Sequence, residues 1–377
     1  MGEKLPEALQ SKRYIPDLVD MNWKQVLRFT KGTLSPPKSP YQPYAKLHKT
    51  LDGPGDSHPT ALQIIKDNDV LGKLTNKTIL ITGGSSGIGV TTAAALYETG
   101  AKVLITARDI PKLEKVIDGI IANSPSGDRA FPRPEPIELH LDSLQSVRDA
   151  AKLIKSKIST LNILINNAGV AFLPYCKTID GLETGIATNH FAHFLLFQEL
   201  KPLLLAGAKE SGSTSRIINL SSGIHRMSTV HVEDINFEKR DYDVYSAYGQ
   251  SKTANVWMAN ALTRKYGAQG LTGLSVHPGV ISMTGLGRHL SQEDLDALVT
   301  KTAKKAKSLE QGAATTVWAA VSSHFRDLGN GGRYLAEVGE AGPVDEKGEG
   351  YAMHAYDEQG EEKLWRLSCE PVGVQDD

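Results

Sequence analysis

The chain has 377 residues, of which 40% are hydrophobic and 23% charged, with a formal net charge of -1. That is enough material for a sizeable buried core, and so even a balance gives no electrostatic footprint for nucleic acid or an anionic membrane surface. Two cysteines, Cys176 and Cys369, exclude a disulfide framework and suit a reducing compartment.

The first thirty residues carry Glu3, Asp17 and Asp20 among their apolar positions and lack the continuous apolar core of a signal peptide. The apolar run at Leu203-Leu204-Leu205-Ala206 is far short of the roughly 20 residues a transmembrane span needs. Cytoplasm is the expected compartment. Residues 1–70 form an N-terminal extension: Leu18, Val19, Trp23, Val26 and Leu27 share one side of a short helix capped by Asp20 or Asn22, and Ser35 to Pro43 is a proline-rich linker.

From Lys77 onward strands alternate with helices. Thr78–Ile81, Lys102–Thr106, Ile137–Leu141, Leu161–Ile165, Arg216–Leu220, Leu271–Val276 and Arg333–Leu335 read as strands. Helical patterns cover Thr188–Leu205, Ala247–Tyr266 and Glu310–Val321. Residues 123–136, with four prolines, read as a surface excursion, and the basic run Lys301–Lys307 as a solvated helix face. The alternation predicts an α/β protein, a Rossmann-type doubly wound parallel sheet of about seven strands forming a single domain over residues 71–377.

Thr82-Gly83-Gly84-Ser85-Ser86-Gly87-Ile88-Gly89 joins the first of these strands to an alanine-rich helix. Gly83 can take a backbone conformation closed to other residues, Gly87 lets a phosphate approach the main chain, and Gly89 lets the helix pack closely on the strand. The amides at the helix start then attract an anion such as a pyrophosphate, with Ser85 and Ser86 as further donors. A strand–glycine turn–helix–strand unit of this kind predicts a bound dinucleotide. At the end of the second strand, where an acidic residue would hold ribose hydroxyls, the chain offers Ala107-Arg108-Asp109. Ala107 cannot accept a hydrogen bond while Arg108 can fork onto a 2′-phosphate, which favours NADP; Asp109 either turns inward for NAD or caps the next helix.

Tyr248-Gly249-Gln250-Ser251-Lys252 sets a phenol and an ammonium one helical turn apart on the same face. A neighbouring cation lowers a phenol's pKa from about 10 toward neutrality. With Thr82 to Gly89, Asn166-Asn167-Ala168-Gly169, Ser222 after Asn219-Leu220-Ser221, and Pro278-Gly279 in the same order, the chain resembles the short-chain dehydrogenase/reductase family over about residues 76–370. The long interval between Ser222 and Tyr248, Asn189-His190-Phe191-Ala192-His193-Phe194 and Tyr248 to Asn255 resemble the branch of retinol dehydrogenases, WW-domain oxidoreductases and protochlorophyllide reductase-like proteins.

The resemblance implies Tyr248 as general acid/base, Ser222 on the substrate oxygen, Lys252 on the ribose and lowering the Tyr248 pKa, and Asn189 positioning a water in a proton relay. It implies Asp142 at the adenine, Asn167, Ala168 and Gly169 as the cofactor floor, and Pro278, Gly279, Ile281 and Thr284 near the nicotinamide. The family's usual threonine position holds Met283, with Thr284 one step late. Ser221 is the alternative to Ser222, and Asn166 reads as structural. His190, His193 and His225 read as packing or rim residues, and no metal ligand set is expected. The implied activity is hydride transfer between NADP and a small-molecule carbonyl or alcohol, with a catalytically idle NADP-binding scaffold as the alternative. Phe172, Leu173, Tyr175, Met227, Met283, Leu286 and Leu290, from Val170–Cys176, a lid over residues 223–247 and the loop Ile281–Leu309, suggest a bulky apolar substrate. The family often dimerises through the helix that carries the tyrosine, so a homodimer is possible.

Overall fold

Apolar runs with no polar alternation can be strands only if helices bury both faces. In the computed structural model, residues 39–127, 131–281, 284–346 and 348–376 are described. The strands are β1 (Thr78–Thr82), β2 (Lys102–Ala107), β3 (Glu135–Glu138), β4 (Ile163–Asn166), β5 (Ser215–Leu220), β6 (Leu271–Val276), β7 (Arg333–Ala336) and β8 (Gly339–Glu340). They form one sheet in the order β3-β2-β1-β4-β5-β6-β7-β8, all neighbours parallel except β7 and β8. The order reverses between β1 and β4. A crevice therefore opens at the carboxyl ends of these two strands, where ligands collect in such sheets.

Helices α1 (Ala61–Asp67), α2 (Ile88–Tyr97) and α3 (Ile110–Ala122) lie with α8 on one face, α4 (Leu144–Lys157), α5 (Ala192–Ser211) and α6 (Val244–Tyr266) with α9 on the other, where α8 is Ala314–Val321 and α9 Glu358–Cys369. A further helix, α7 (Gln292–Thr302), buries none of its residues. Helix α6 is buried along most of its length, so it is the structural centre of its face and not an amphipathic cover.

Several expectations shift. The third strand starts at Glu135, inside the segment read as an excursion; it is the edge strand, so Pro136 costs no ladder hydrogen bond. The two-residue β8 escaped notice because it is too short to show a period. The basic run is not one solvated face: helix α7 ends at Thr302, and Lys307 is buried with Nζ 2.8 Å from Glu337 Oε2. The helix read at Leu18–Leu27 lies outside the described residues. The end of the proline-rich stretch is docked, with Tyr41 N donating to Glu340 Oε2 at 3.0 Å and the Tyr41 ring stacked 4.4 Å from His324.

Helix α1 plugs Ala61, Ile64 and Ile65 into the core shared with α2 and α8. Truncating Ile64, which has no exposed surface, leaves a cavity that rigid neighbours cannot fill. Ile64→Ala is expected to lower unfolding stability by about 2–5 kcal/mol in a denaturant titration; an effect below about 0.5 kcal/mol would mean that α1 only rests on the surface.

Candidate active site

The turn after β1 works by close approach. Gly83 has φ +70° and Gly87 φ +60°, both left-handed. A Cβ on Gly83 would sit 2.8 Å from Ala168 Cα, and one on Gly89 would sit 2.3 Å from Gly83 O and 2.7 Å from Asn167 Nδ2. Helix α2 starts at this turn without a side-chain cap, leaving its first amides for an anion. Asn167 Nδ2 donates to Thr82 O at 2.7 Å and clamps the turn to the end of β4. Thr82 Oγ1 accepts from Ala168 N at 3.0 Å and lies 2.9 Å from Nε2 of buried His193.

A cavity of about 440 Å³ spreads from this turn across the carboxyl ends of the strands. All the residues assigned to the cofactor from sequence line it: Gly83, Ser85 to Gly89, Arg108, Asp142, Asn167 to Gly169, Tyr248, Lys252, Pro278, Gly279, Ile281 and Thr284. Thr284 closes over the turn, 3.6 Å from where a Gly87 Cβ would be. At the end of β2, exposed Arg108 faces the cavity while Asp109 Oδ1 accepts from Lys112 N at 2.9 Å and caps α3. Asp109 is thus the cap of the two roles left open.

At the other end Ser222, Tyr248 and Lys252 converge. Tyr248 is buried, and burial pushes its phenol above the ordinary value while a hydrogen bond with the Ser222 side chain works against that rise. Lys252 Nζ lies 5.6 Å from the Tyr248 ring centroid and donates to Leu220 O at 3.0 Å; burial lowers its pKa to about 8. In the protein by itself the Tyr248 phenol thus stands above its ordinary value and not below it, with burial the larger cause. The alternative serine is spent on structure, since Ser221 Oγ donates to Lys252 O at 2.9 Å. Asn166 is spent likewise on Asn219 Oδ1 at 2.8 Å.

Asn189 does not line the cavity; it stands behind the wall, in a π-helical turn over Ala187–Phe191. Its Oδ1 accepts from Val170 N at 2.8 Å, and its Nδ2 donates to Val170 O at 2.9 Å and Ser251 Oγ at 2.8 Å. Both side-chain donors are committed, so the side chain braces the floor at Val170. The three histidines are packing residues. His193 Nδ1 donates to Asn189 O at 3.0 Å, His225 bridges Ser222 O and Ala352 N, and His190 Nε2 lies 2.8 Å from Ser368 Oγ. Burial lowers the pKa of His193 and of His225 to about 4, and that of His190 to about 3.

Among the described residues, which do not include Met283, the apolar end is smaller than expected. Leu173 and Leu286 line the cavity, whereas Tyr175 and Met227 are exposed and Phe172 packs edge-on to Tyr245 and Tyr248. Residues 223–247 do not line the main cavity and are no loose lid. Val230, Ile235 and Phe237 are buried, and Thr253 Oγ1 holds the segment on α6 through His225 O and Ser228 O. Sequence reasoning missed Thr184, Thr188 and Arg288 in the lining. A lone arginine in an aperiodic loop gives no signal, and Thr184 lies just before the π-turn and Thr188 within it, a turn that has no sequence period.

Lys252 titrates lower when folded than its ordinary value of 10.5, so between about pH 8 and 10.5 the unfolded chain holds more protons and stability rises with pH. Relative to Lys252→Met, the parent is expected to gain on the order of 3 kcal/mol across that window in paired denaturant titrations. Parallel curves for the two would contradict the shift.

The profile of the short chain dehydrogenase family matches residues 77–295. Short-chain dehydrogenase/reductase prx1 of Penicillium roqueforti is 42% identical over 336 residues, 88% of this chain and 95% of that protein. Retinol dehydrogenase 12 of Mus musculus is 34% identical over 304 residues, 80% of this chain and 88% of that protein. Among solved structures, an uncharacterised protein from Mycobacterium paratuberculosis superimposes with a TM-score of 0.62 at 30% identity, covering 84% of this chain and 98% of that one.

Proposed function

Given that the chain belongs to the short-chain dehydrogenase/reductase family, we propose that it is an NADP-dependent oxidoreductase interconverting a ketone or aldehyde and its alcohol on a bulky apolar small molecule. One observation carries this reading. The Tyr248 phenol, with Ser222 and Lys252 beside it, lies on the wall of the same cavity whose far end is the uncapped helix start after Gly87.

The cavity suits a dinucleotide. Its glycine cradle has no room for side chains at Gly83 and Gly89, the amides of α2 await a pyrophosphate, and Arg108 beside Ala107 supplies a cation where a 2′-phosphate would sit. Asp142 serves the adenine and Thr284 the nicotinamide end. When bound, the dinucleotide supplies or accepts the hydride.

The protein's part is the proton and the alignment. Ser222 Oγ donates to the substrate oxygen, and Tyr248 Oη delivers its proton to that oxygen during reduction or removes one during oxidation. Lys252 holds the ribose and, through its charge, favours the phenolate that forms when the proton leaves. Asn189 acts through others: it fixes Val170 and, through Ser251, the turn of α6 that carries Tyr248. Leu173, Leu286 and Val170 give the substrate end an apolar wall. No helix among the described residues is long and apolar enough to cross a membrane.

Oxidation of NADPH with carbonyl compounds from acetone-sized to polycyclic tests the reading. Turnover is expected to favour the larger members, and Tyr248→Phe is expected to lose about 10²- to 10⁴-fold in kcat/KM. No turnover with any member would leave an idle NADP-binding scaffold, and full activity of Tyr248→Phe would remove the phenol from the chemistry. Arg108→Ala is expected to raise the KM for NADPH by about 10- to 100-fold with little change for NADH, read in the same assay. Equal effects on both would place the 2′-phosphate elsewhere.

A further inference from the structure

Behind the Pro278-Gly279 loop, two histidines of one segment meet a glutamate from far along the chain. His48 and His58 come from the segment before α1, and Glu337 from the tight turn between β7 and β8. Their ligand atoms all lie within 4.8 Å of one another. His48 Nε2 is 3.2 Å and His58 Nε2 3.5 Å from the same oxygen, Glu337 Oε2.

The remaining ring nitrogens decide what faces that oxygen. His48 Nδ1 lies 3.0 Å from Tyr44 O, and a carbonyl only accepts, so Nδ1 carries the proton and Nε2 presents a lone pair. His58 Nδ1 contacts the Asp56 carboxylate in the same way, which in the neutral ring leaves Nε2 with a lone pair. Two imidazole lone pairs are thus aimed at a carboxylate oxygen that has only lone pairs to offer. His48 Nε2 has no hydrogen-bond partner although its side chain is only 9% exposed. Such a convergence offers an electron-pair acceptor two nitrogens and an oxygen, and rings pinned through Nδ1 by a carbonyl and a carboxylate are how metal-binding histidines are held in place.

The support is rigid as well. Gln311 Nε2 donates to Asp56 O at 3.2 Å and to His58 O at 3.3 Å, and Gly55 N donates to Gln311 Oε1 at 3.0 Å. Glu337 and Val338 both have φ +52°, left-handed and unusual for such side chains, so the turn is held in place by its surroundings. Among the described residues, the cation that competes for the carboxylate is Lys307 Nζ, 2.8 Å from Glu337 Oε2. Its stem packs on Gly279, where a Cβ would be 2.8 Å from Lys307 Cδ.

We propose that His48, His58 and Glu337 form a binding site for a divalent transition-metal cation of the zinc type, clamping the segment before α1 to the β7–β8 turn. Two imidazoles and one carboxylate suit zinc or cobalt over magnesium or calcium, which take oxygen ligands. With three protein ligands, a fourth position is left to water. The site makes no use of the dehydrogenase chemistry, so its test is independent of that reading.

Tag-free full-length protein, stripped with a chelator and titrated with Co(II), is expected to bind a single equivalent with the visible ligand-field bands of a low-coordinate site, displaced by Zn(II). His48→Ala and His58→Ala each abolish that binding, Asp56→Asn weakens it about 10- to 100-fold, and Lys307→Met tightens it by removing the competing cation. Absence of stoichiometric binding in the parent, or binding unchanged in the His48→Ala and His58→Ala variants, overturns the proposal. Should those variants fail to fold, X-ray absorption of the parent's Co(II) decides: imidazole scattering supports the site, and an oxygen-only shell overturns it.

Discussion

The site depends on keeping an ammonium out of water beneath a phenol. Taking Lys252 Nζ from solvent is costly unless a partner replaces hydration, and the partner here is Leu220 O at the end of β5. The same carbonyl accepts from Asn255 Nδ2 at 2.9 Å, and Ser221 Oγ returns a bond to Lys252 O. Three hydrogen bonds thus stitch α6 to the tip of β5. They set where Tyr248 and Ser222 can meet, because Ser222 directly follows Ser221 and Tyr248 stands one helical turn before Lys252. The depressed pKa of Lys252 is the consequence, and it leaves that charge responsive to what enters the cavity.

A second constraint runs from the glycine turn to the π-turn. Thr82 Oγ1 joins Ala168 N to His193 Nε2, His193 Nδ1 reaches Asn189 O, and the Asn189 side chain holds Val170. The buried histidine is kept neutral by desolvation, so it can donate at one nitrogen and accept at the other. Two motifs on different strands and the wide turn of a helix thereby share one hydrogen-bonded line. The Asn-Asn-Ala-Gly stretch accordingly serves three needs at once: Asn166 ties β4 to β5, Asn167 clamps the glycine turn, and Ala168 with Gly169 leaves open space above.

Much of this could be read before any coordinates. The strands β1 and β2 were legible because their apolar runs Ile79–Ile81 and Val103–Ile105 are uninterrupted, and the cavity lining was legible because glycines, a Pro-Gly pair and Tyr-x-x-x-Lys are local patterns. What could not be read is long-range. Nothing in the spacing of Asn189 tells that both its amide hydrogens are spent on Val170 O and Ser251 Oγ. A residue's exposure also cannot be inferred from charge alone: Lys307 belongs to a basic run yet is buried because Glu337, on a different strand turn, comes to meet it. The phenol's pKa went the other way from expectation for a related reason, since a neighbouring cation is visible in sequence and desolvation is not. His48, His58 and Glu337 share no motif at all, and only the fold brings them together.

The tension between a desolvated phenol and its cationic neighbour gives the sharpest test of the account. Tyrosine labelled with ¹³C at Cζ, with Tyr248 assigned by comparison with Tyr248→Phe, reports ionisation of that one group by NMR. In the protein alone the resonance should stay that of the neutral phenol past its ordinary titration range, because burial holds the pKa up. With oxidised NADP bound, the added positive charge beside the phenol should bring ionisation down by on the order of 2 pH units. A titration of Tyr248 indifferent to NADP would contradict the placement of the phenol at the reacting end of the cavity.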